Sequence, residues 1–186
     1  MKKNKNGFAL PVSLLLLVVM TIMGATLVSI TSGDIRANNE KDLSQQAFYA
    51  AESGISDAKK WMKDNTNTLT TSSQRNLNND LLYCKAAYFP NLNTANGFIV
   101  GRKTLNEVIS SSDSIEAKRL SKFSFEYFIA FSPDNNGNNS SARKKPGTNK
   151  TYYTIYSCGC DGPKGTCRSQ NNKIVSLEAV VTIATQ

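Results

Sequence analysis

From Phe8 to Ile30 the chain reads FALPVSLLLLVVMTIMGATLVSI, and no formal charge interrupts it between Lys5 and Asp34. As a helix this run is about 35 Å long at about 1.5 Å per residue, enough for the hydrocarbon core of a bilayer. Lys2, Lys3 and Lys5 precede it and would hold the start of the chain on the cytoplasmic side, leaving the rest outside the cytoplasm. A secretory signal peptide carries its small-residue cleavage site after the apolar run. Here the better site lies before it, where Gly7 meets Phe8, and no equally good one follows Ile30. The apolar segment is therefore expected to stay on the mature protein, against the simpler alternative of an uncleaved single-pass anchor.

The next stretch, DIRANNEKDLSQQAFYAAESGISDAKKWM from Asp34 to Met62, places Ile35, Leu43, Ala47, Ala51, Ile55, Ala58 and Met62 at separations of threes, fours and one eight. That is the one-sided stripe of an amphipathic helix. No proline occurs between Pro11 and Pro90, so both segments can form one continuous helix of about fifty residues, softest at Gly24, Gly33 and Gly54. Its first half would be buried by lipid or neighbouring subunits on every side, and its second half would lie on its own globular domain.

The leader ending Gly7-Phe8, the apolar run and the stretch Asn38-Asn39-Glu40 through AFYAAESGI (Ala47 to Ile55) together resemble a type IV pilin, and more closely the minor pilins of the PilX family. The resemblance covers about the first third of the chain. It implies that prepilin peptidase removes residues 1–7 after Gly7 and that the new amino terminus, Phe8, is N-methylated. It implies an assembly helix over 8–33 and an extracytoplasmic domain over 34–186, made of an amphipathic helix (34–62), a variable connecting region (63–121) and a sheet with a disulfide-bounded loop (122–186). The fold expected is α+β and pilin-like: a long N-terminal helix packed on a three- to four-stranded antiparallel sheet. Major pilin and other minor pilins are the implied partners. The precursor would be a single-pass protein of the inner membrane, and the assembled subunit part of a pilus on the cell surface.

One departure is informative. Most pilins carry glutamate at the fifth position after the cleavage, where this chain has Val12. In the family that carboxylate is thought to pair with the amino terminus of a neighbouring subunit, a strong interaction in an apolar fibre core. A subunit lacking it suits a place at the pilus tip, or a low-copy role in starting assembly. Pro11 falls where a missing backbone donor is tolerated, as a first-turn proline.

Without residues 1–33 about 150 residues remain, ample for one core. The formal net charge of +8 falls to +5 on side chains once the three leader lysines are gone. The remaining basic positions are dispersed: Lys59, Lys60 and Lys63; Lys118, Arg119 and Lys122; Arg143, Lys144 and Lys145; and Lys164, Arg168 and Lys173. They read as solvated charge, with Arg143, Lys144 and Lys145 the best candidates for contact with DNA phosphates or with an anionic host or bacterial surface. Few aromatics interleave them, so base stacking is not indicated.

Residues 64–79, DNTNTLTTSSQRNLNN, read as an exposed loop or a short capped turn. Weak helical patterns follow over Leu77 to Lys85 and Leu105 to Leu120, with a turn at Ala95-Asn96-Gly97-Phe98. Strand signals dominate the last third: Phe123 to Phe131, Thr151 to Ser157 and Lys173 to Thr185. Their separators are rich in Gly, Pro and Asn, as hairpin loops are. Four cysteines, Cys84, Cys158, Cys160 and Cys167, in an exported domain argue for two disulfides. The expected pairing joins Cys158 or Cys160 to Cys167, closing the loop between the last two strands, and the remaining one to Cys84. In pilins a disulfide-bounded carboxy-terminal loop recurs and often meets partners. A cysteine-only zinc site is the rival reading. Asp134-Asn135-Asn136-Gly137-Asn138 has oxygen ligands and a glycine, like a calcium loop, but lacks the distal acidic residue, so a polar turn is expected.

The chain contains no histidine, which excludes His-based triads and His-bearing zinc sites, and no phosphate-cradling glycine motif follows a strand. Neither catalysis nor a cofactor is expected. The leading reading is a structural or tip minor pilin that primes assembly and modulates adhesion or aggregation. The alternatives are a minor pseudopilin of type II secretion and a DNA-binding minor pilin for transformation.

Overall fold

The computed structural model describes residues 9–167 and 172–184. Two compact units divide the chain, Met1–Asp42 and Leu43–Gln186. Helix α1, Ala9–Asp64, has 56 residues and passes through both. In the first unit every described side chain from Leu10 to Asp42 is exposed. Ile35, the first member of the expected stripe, is among them at 64%, so the buried face of α1 begins at Leu43.

In the second unit α1 uses small residues to reach the sheet. Ala47, Ala50, Ala51, Gly54, Ala58 and Met62 are buried, whereas Leu43 and Ile55 are half-buried. The helix ends at a polar cluster, where Asn65 Nδ2 donates to Trp61 O at 3.0 Å and Thr66 Oγ1 to Met62 O at 3.2 Å, satisfying terminal carbonyls. A short helix α2, Thr66–Thr71, follows and buries Leu69, where the sequence had suggested only a loop or turn.

The connection to the sheet contains β1 (Arg75–Asn76), a single 3-10 turn over Ala86–Tyr88 and β2 (Asn96–Gly97), with β1 and β2 paired antiparallel. Over Leu77 to Lys85 a single turn closes on Leu77 O, with Asp80 N and Leu81 N donating to it, and no helix continues because the carboxylate of Glu126 takes the next amides, those of Leu82, Tyr83 and Cys84. The turn expected at Ala95-Asn96-Gly97-Phe98 instead supplies β2 and leads into β3, Ile99–Thr104, a strand the sequence reading assigned to the variable connection. Two short helices, α3 (Leu105–Val108) and α4 (Ser114–Leu120), split the pattern over Leu105 to Leu120. Asp113 separates them and caps α4, accepting a bond from Ile115 N at 2.9 Å.

Strands β4 (Ser124–Phe131), β5 (Arg143–Lys144), β6 (Lys150–Cys160) and β7 (Ile174–Ala184) complete a five-stranded antiparallel sheet. The long strands run in the order β3-β4-β6-β7, and β5 adds two residues to the β4 side of β6. The α+β class is as expected, a long helix on an antiparallel sheet, with β3 as the fourth long strand. Phe125, Tyr127, Ile129, Tyr153 and Ile155 face the helix side in one cluster with Ala50, Ala58 and Met62. Phe128, Ala130, Tyr156, Cys158 and Cys160 point the other way and lie in a second cluster with Leu77, Tyr83, Phe89 and Leu92 of the connection. Burial on both faces explains why β4 shows only partial alternation of apolar residues.

Helix and sheet approach closely at Gly159. A Cβ there would run into the carbonyl of Ala47 and the backbone nitrogen of Ala51. Nearby, Ser157 Oγ donates to Ala51 O at 2.8 Å. The obstacle is backbone on both elements and cannot rotate away, so Gly159→Ala is expected to cost about 1–3 kcal/mol through overpacking. Chemical unfolding followed by fluorescence of Trp61, the single tryptophan, reads this directly. A change within about 0.5 kcal/mol, the range of a neutral surface substitution, would show that the helix can back away.

Candidate functional site

The first candidate surface is the apolar half of α1. Leu10, Leu14, Leu15, Leu16, Leu17, Met20, Ile22, Met23, Leu27, Val28 and Ile30 are all exposed, and the segment is long and apolar enough to cross a membrane. Four hydroxyls of this half are satisfied by the helix itself: Ser13 donates to Leu10 O, Thr21 to Val18 O, Thr26 to Met23 O and Thr31 to Leu27 O, all at 2.8–2.9 Å. A helix meeting lipid or apolar neighbours needs such internal partners, because its surroundings offer none. Pro11 lies near the helix start and Val12 is 47% exposed, so the position presents an apolar side chain and no charge. Gly7 and Phe8, the processing site expected from the sequence, lie outside the described residues.

The second candidate is the far face of the sheet and the connection folded over it. Glu126 on β4 is fully buried. Its Oε2 accepts from Tyr83 N at 2.9 Å and Cys84 N at 2.8 Å, and its Oε1 from Leu82 N at 3.0 Å and Arg102 Nε at 2.8 Å. Arg102, on β3, also donates through Nη2 to Asp80 O at 2.8 Å. One buried carboxylate thus satisfies three successive backbone donors and one guanidinium, which offsets the cost of burying its charge. The same corner carries the first disulfide, Cys84–Cys158, with Cys158 directly opposite Glu126 in the β4/β6 register. Only one signal in the sequence could have pointed to Glu126, a lone acid inside the aromatic run SFEYFIAF.

The second disulfide, Cys160–Cys167, closes a short loop between β6 and β7. With both bonds formed there is no free cysteine, and the thiolates that a zinc site would need are gone. Arg143 and Lys144 form β5, and Lys145 follows at a turn where Gly147 adopts φ 70°. All three are exposed. Arg143 donates to Pro133 O, and Arg143 and Lys144 line an open groove over Tyr152 and Tyr156 together with Asp134 and Glu178. The groove is therefore lined by acids as well as bases, rather than by a continuous basic stripe. Asp134 Oδ1 accepts from Asn136 N and Asn138 N, both at 2.9 Å, and Gly137 takes φ 78°. The segment is a self-bonded polar turn whose carboxylate is already engaged. Other basic side chains face acids, Lys103 with Asp57 at 2.8 Å and Lys164 with Glu107 at 3.3 Å. Arg168 lies outside the described residues.

No protein-family profile matches the chain, and no curated protein or solved structure is significantly similar to it.

Proposed function

We propose that this chain is a minor pilin of a type IV pilus, placed at the tip or in low copy, where it promotes assembly and modulates adhesion or aggregation. The observation that carries the reading is α1 itself: an uncharged apolar segment exposed all round is followed in the same helix by a small-residue face packed on an antiparallel sheet. Exposed apolar surface of that extent needs a lipid or protein environment, and a fibre of parallel helices supplies one after the membrane does. Val12 supports the tip or low-copy assignment, since it offers no carboxylate to a neighbour's amino terminus. Pro163 to Thr166, inside the loop that Cys160–Cys167 closes, are exposed and give a rim suited to partner contact.

On this reading prepilin peptidase cuts between Gly7 and Phe8 and leaves N-methylated Phe8. Intact mass of the protein from membranes and from sheared surface fibres, with and without the peptidase, tests it. A mature chain beginning at N-methyl-Phe8 and appearing in the fibre fraction is the expected result. A chain that retains residues 1–7, or begins after Ile30, would overturn the assignment.

A further inference from the structure

Strand β7 lies at the edge of the sheet. Its eleven residues pair with β6 in an unbroken register, from Ile174 opposite Cys160 to Ala184 opposite Lys150. No other strand pairs with it among the described residues, and no backbone bond outside that ladder reaches residues 174–184. Alternate residues of an edge strand direct their N–H and C=O groups outward, where they can template another strand. Proteins blunt such edges with proline, lysine, bulges or short length. The opposite edge, β3, is short and carries Gly101, Arg102 and Lys103. By contrast β7, IVSLEAVVTIA, has no proline, glycine or base, and its single charge is Glu178.

The side chains alternate in the same way. Val181 and Ile183 pack on the helix-side cluster, which places Val175, Leu177 and Ala179 on that face too. All five are only half-buried. On the other face Glu178, Val180, Thr182 and Ala184 are exposed, Val180 at 63%. An apolar row is thus left partly open along a row of unpaired backbone groups.

We propose that β7 pairs antiparallel with β7 of a second copy, joining two five-stranded sheets across a two-fold axis at Ala179. The strand's own sequence selects both occupant and register. Residues directly opposite each other share a face, so the helix-side residues of one copy must oppose those of the other. An axis at Glu178 would set two carboxylates face to face, and an axis at Val180 would shorten the ladder. Ala179 is the midpoint of Ile174–Ala184, and an axis there pairs the whole strand. Val175 then opposes Ile183 and Leu177 opposes Val181 on the helix side. On the other face Ser176 opposes Thr182, and Glu178 opposes Val180 without meeting its own copy directly.

The pairing also fixes which copies can meet. Within the second unit α1 enters beside Gly159, at Ala47, and Gly159 lies opposite Val175. Because Val175 of one copy falls at Ile183 of the other, the two helices enter from opposite ends of the joined sheet. Two chains anchored in one membrane cannot meet in this way, so the contact links chains held by different membranes or fibres. It rests on the second unit and the membrane-crossing helix and not on entry into a pilus, so its test and the mass measurement above fail separately.

The test places the full chain in lipid nanodiscs, one copy per disc, and follows pairing of discs by sedimentation velocity and hydrogen exchange. Discs carrying the chain are expected to pair with a Kd on the order of tens of micromolar, as befits a small interface, while empty discs stay single. Alternate amides of residues 174–184 should gain protection as concentration rises. Val180→Lys sets a base opposite Glu178 of the partner copy, and Val180→Glu sets an acid there. Each change acts twice across the axis, so the lysine variant should pair about three- to tenfold more tightly than wild type and the glutamate variant about three- to tenfold more weakly. Val180 is exposed, so neither substitution disturbs the core. Discs that stay single at about 200 µM, pairing without added protection in β7, or a shift in the same direction for both variants would each overturn the proposal.

Discussion

Glu126→Ala is expected to lower the stability of the folded domain by about 3–5 kcal/mol, since it strips the buried partner from Arg102 and leaves three backbone donors without an acceptor. The loss should be local in origin. Amide protons of Leu82, Tyr83 and Cys84, now bonded to the carboxylate at 2.8–3.0 Å, should exchange much faster in the variant, while those of α1 opposite Gly159 should keep their protection up to global unfolding. Glu126→Gln, which keeps one acceptor oxygen but no charge, should fall between the two. A double-mutant cycle with Arg102→Met separates the ion pair from the backbone bonds. Should Glu126→Ala cost less than about 1 kcal/mol, no more than an average substitution, the carboxylate would not be what holds the connection on the sheet.

Removing the Cys84–Cys158 bond by replacing both cysteines with alanine is expected to cost about 4 kcal/mol, and removing Cys160–Cys167 about 2–3 kcal/mol, from the chain entropy released to the unfolded state. The ordering follows from sequence separations of 74 and 7 residues. The first bond ties the connection to β6 across the second core cluster, whereas the second only closes a loop. Denaturant midpoints read by Trp61 fluorescence decide the order. If the short-loop variant proves the less stable of the two, native-state packing around Cys160 and Cys167 outweighs loop entropy. The Glu126 and Cys84 variants should also couple strongly, because Cys84 N is one of the carboxylate's donors.

The reading of the long helix came from periodicity and proline spacing alone, because a 3.6-residue repeat and an uninterrupted apolar run depend on neighbours in sequence. The three strands over Ser124–Phe131, Lys150–Cys160 and Ile174–Ala184 were legible for a similar reason, being runs of β-branched and aromatic residues bounded by turn-forming loops. What the sequence did not reveal were segments whose state is set by distant partners. Ile99–Thr104, IVGRKT, carries a glycine and two cations and becomes a strand through its pairing with β4; Gly101, opposite Tyr127, lets that ring lie across it. Leu77 to Lys85 has helical spacing but not helical structure, since Glu126 competes successfully for its amides.

By itself, then, the sequence determined the apolar helix, its small-residue continuation, the late strands and the need for two disulfides, all properties of local pattern and composition. The start of the buried face at Leu43, the fourth long strand, the choice of Cys158 as partner for Cys84, the buried Glu126 corner and the groove over Tyr152 and Tyr156 were decided only by tertiary structure. Each depends on residues tens of positions apart meeting in space, and short-range periodicity carries no record of such meetings.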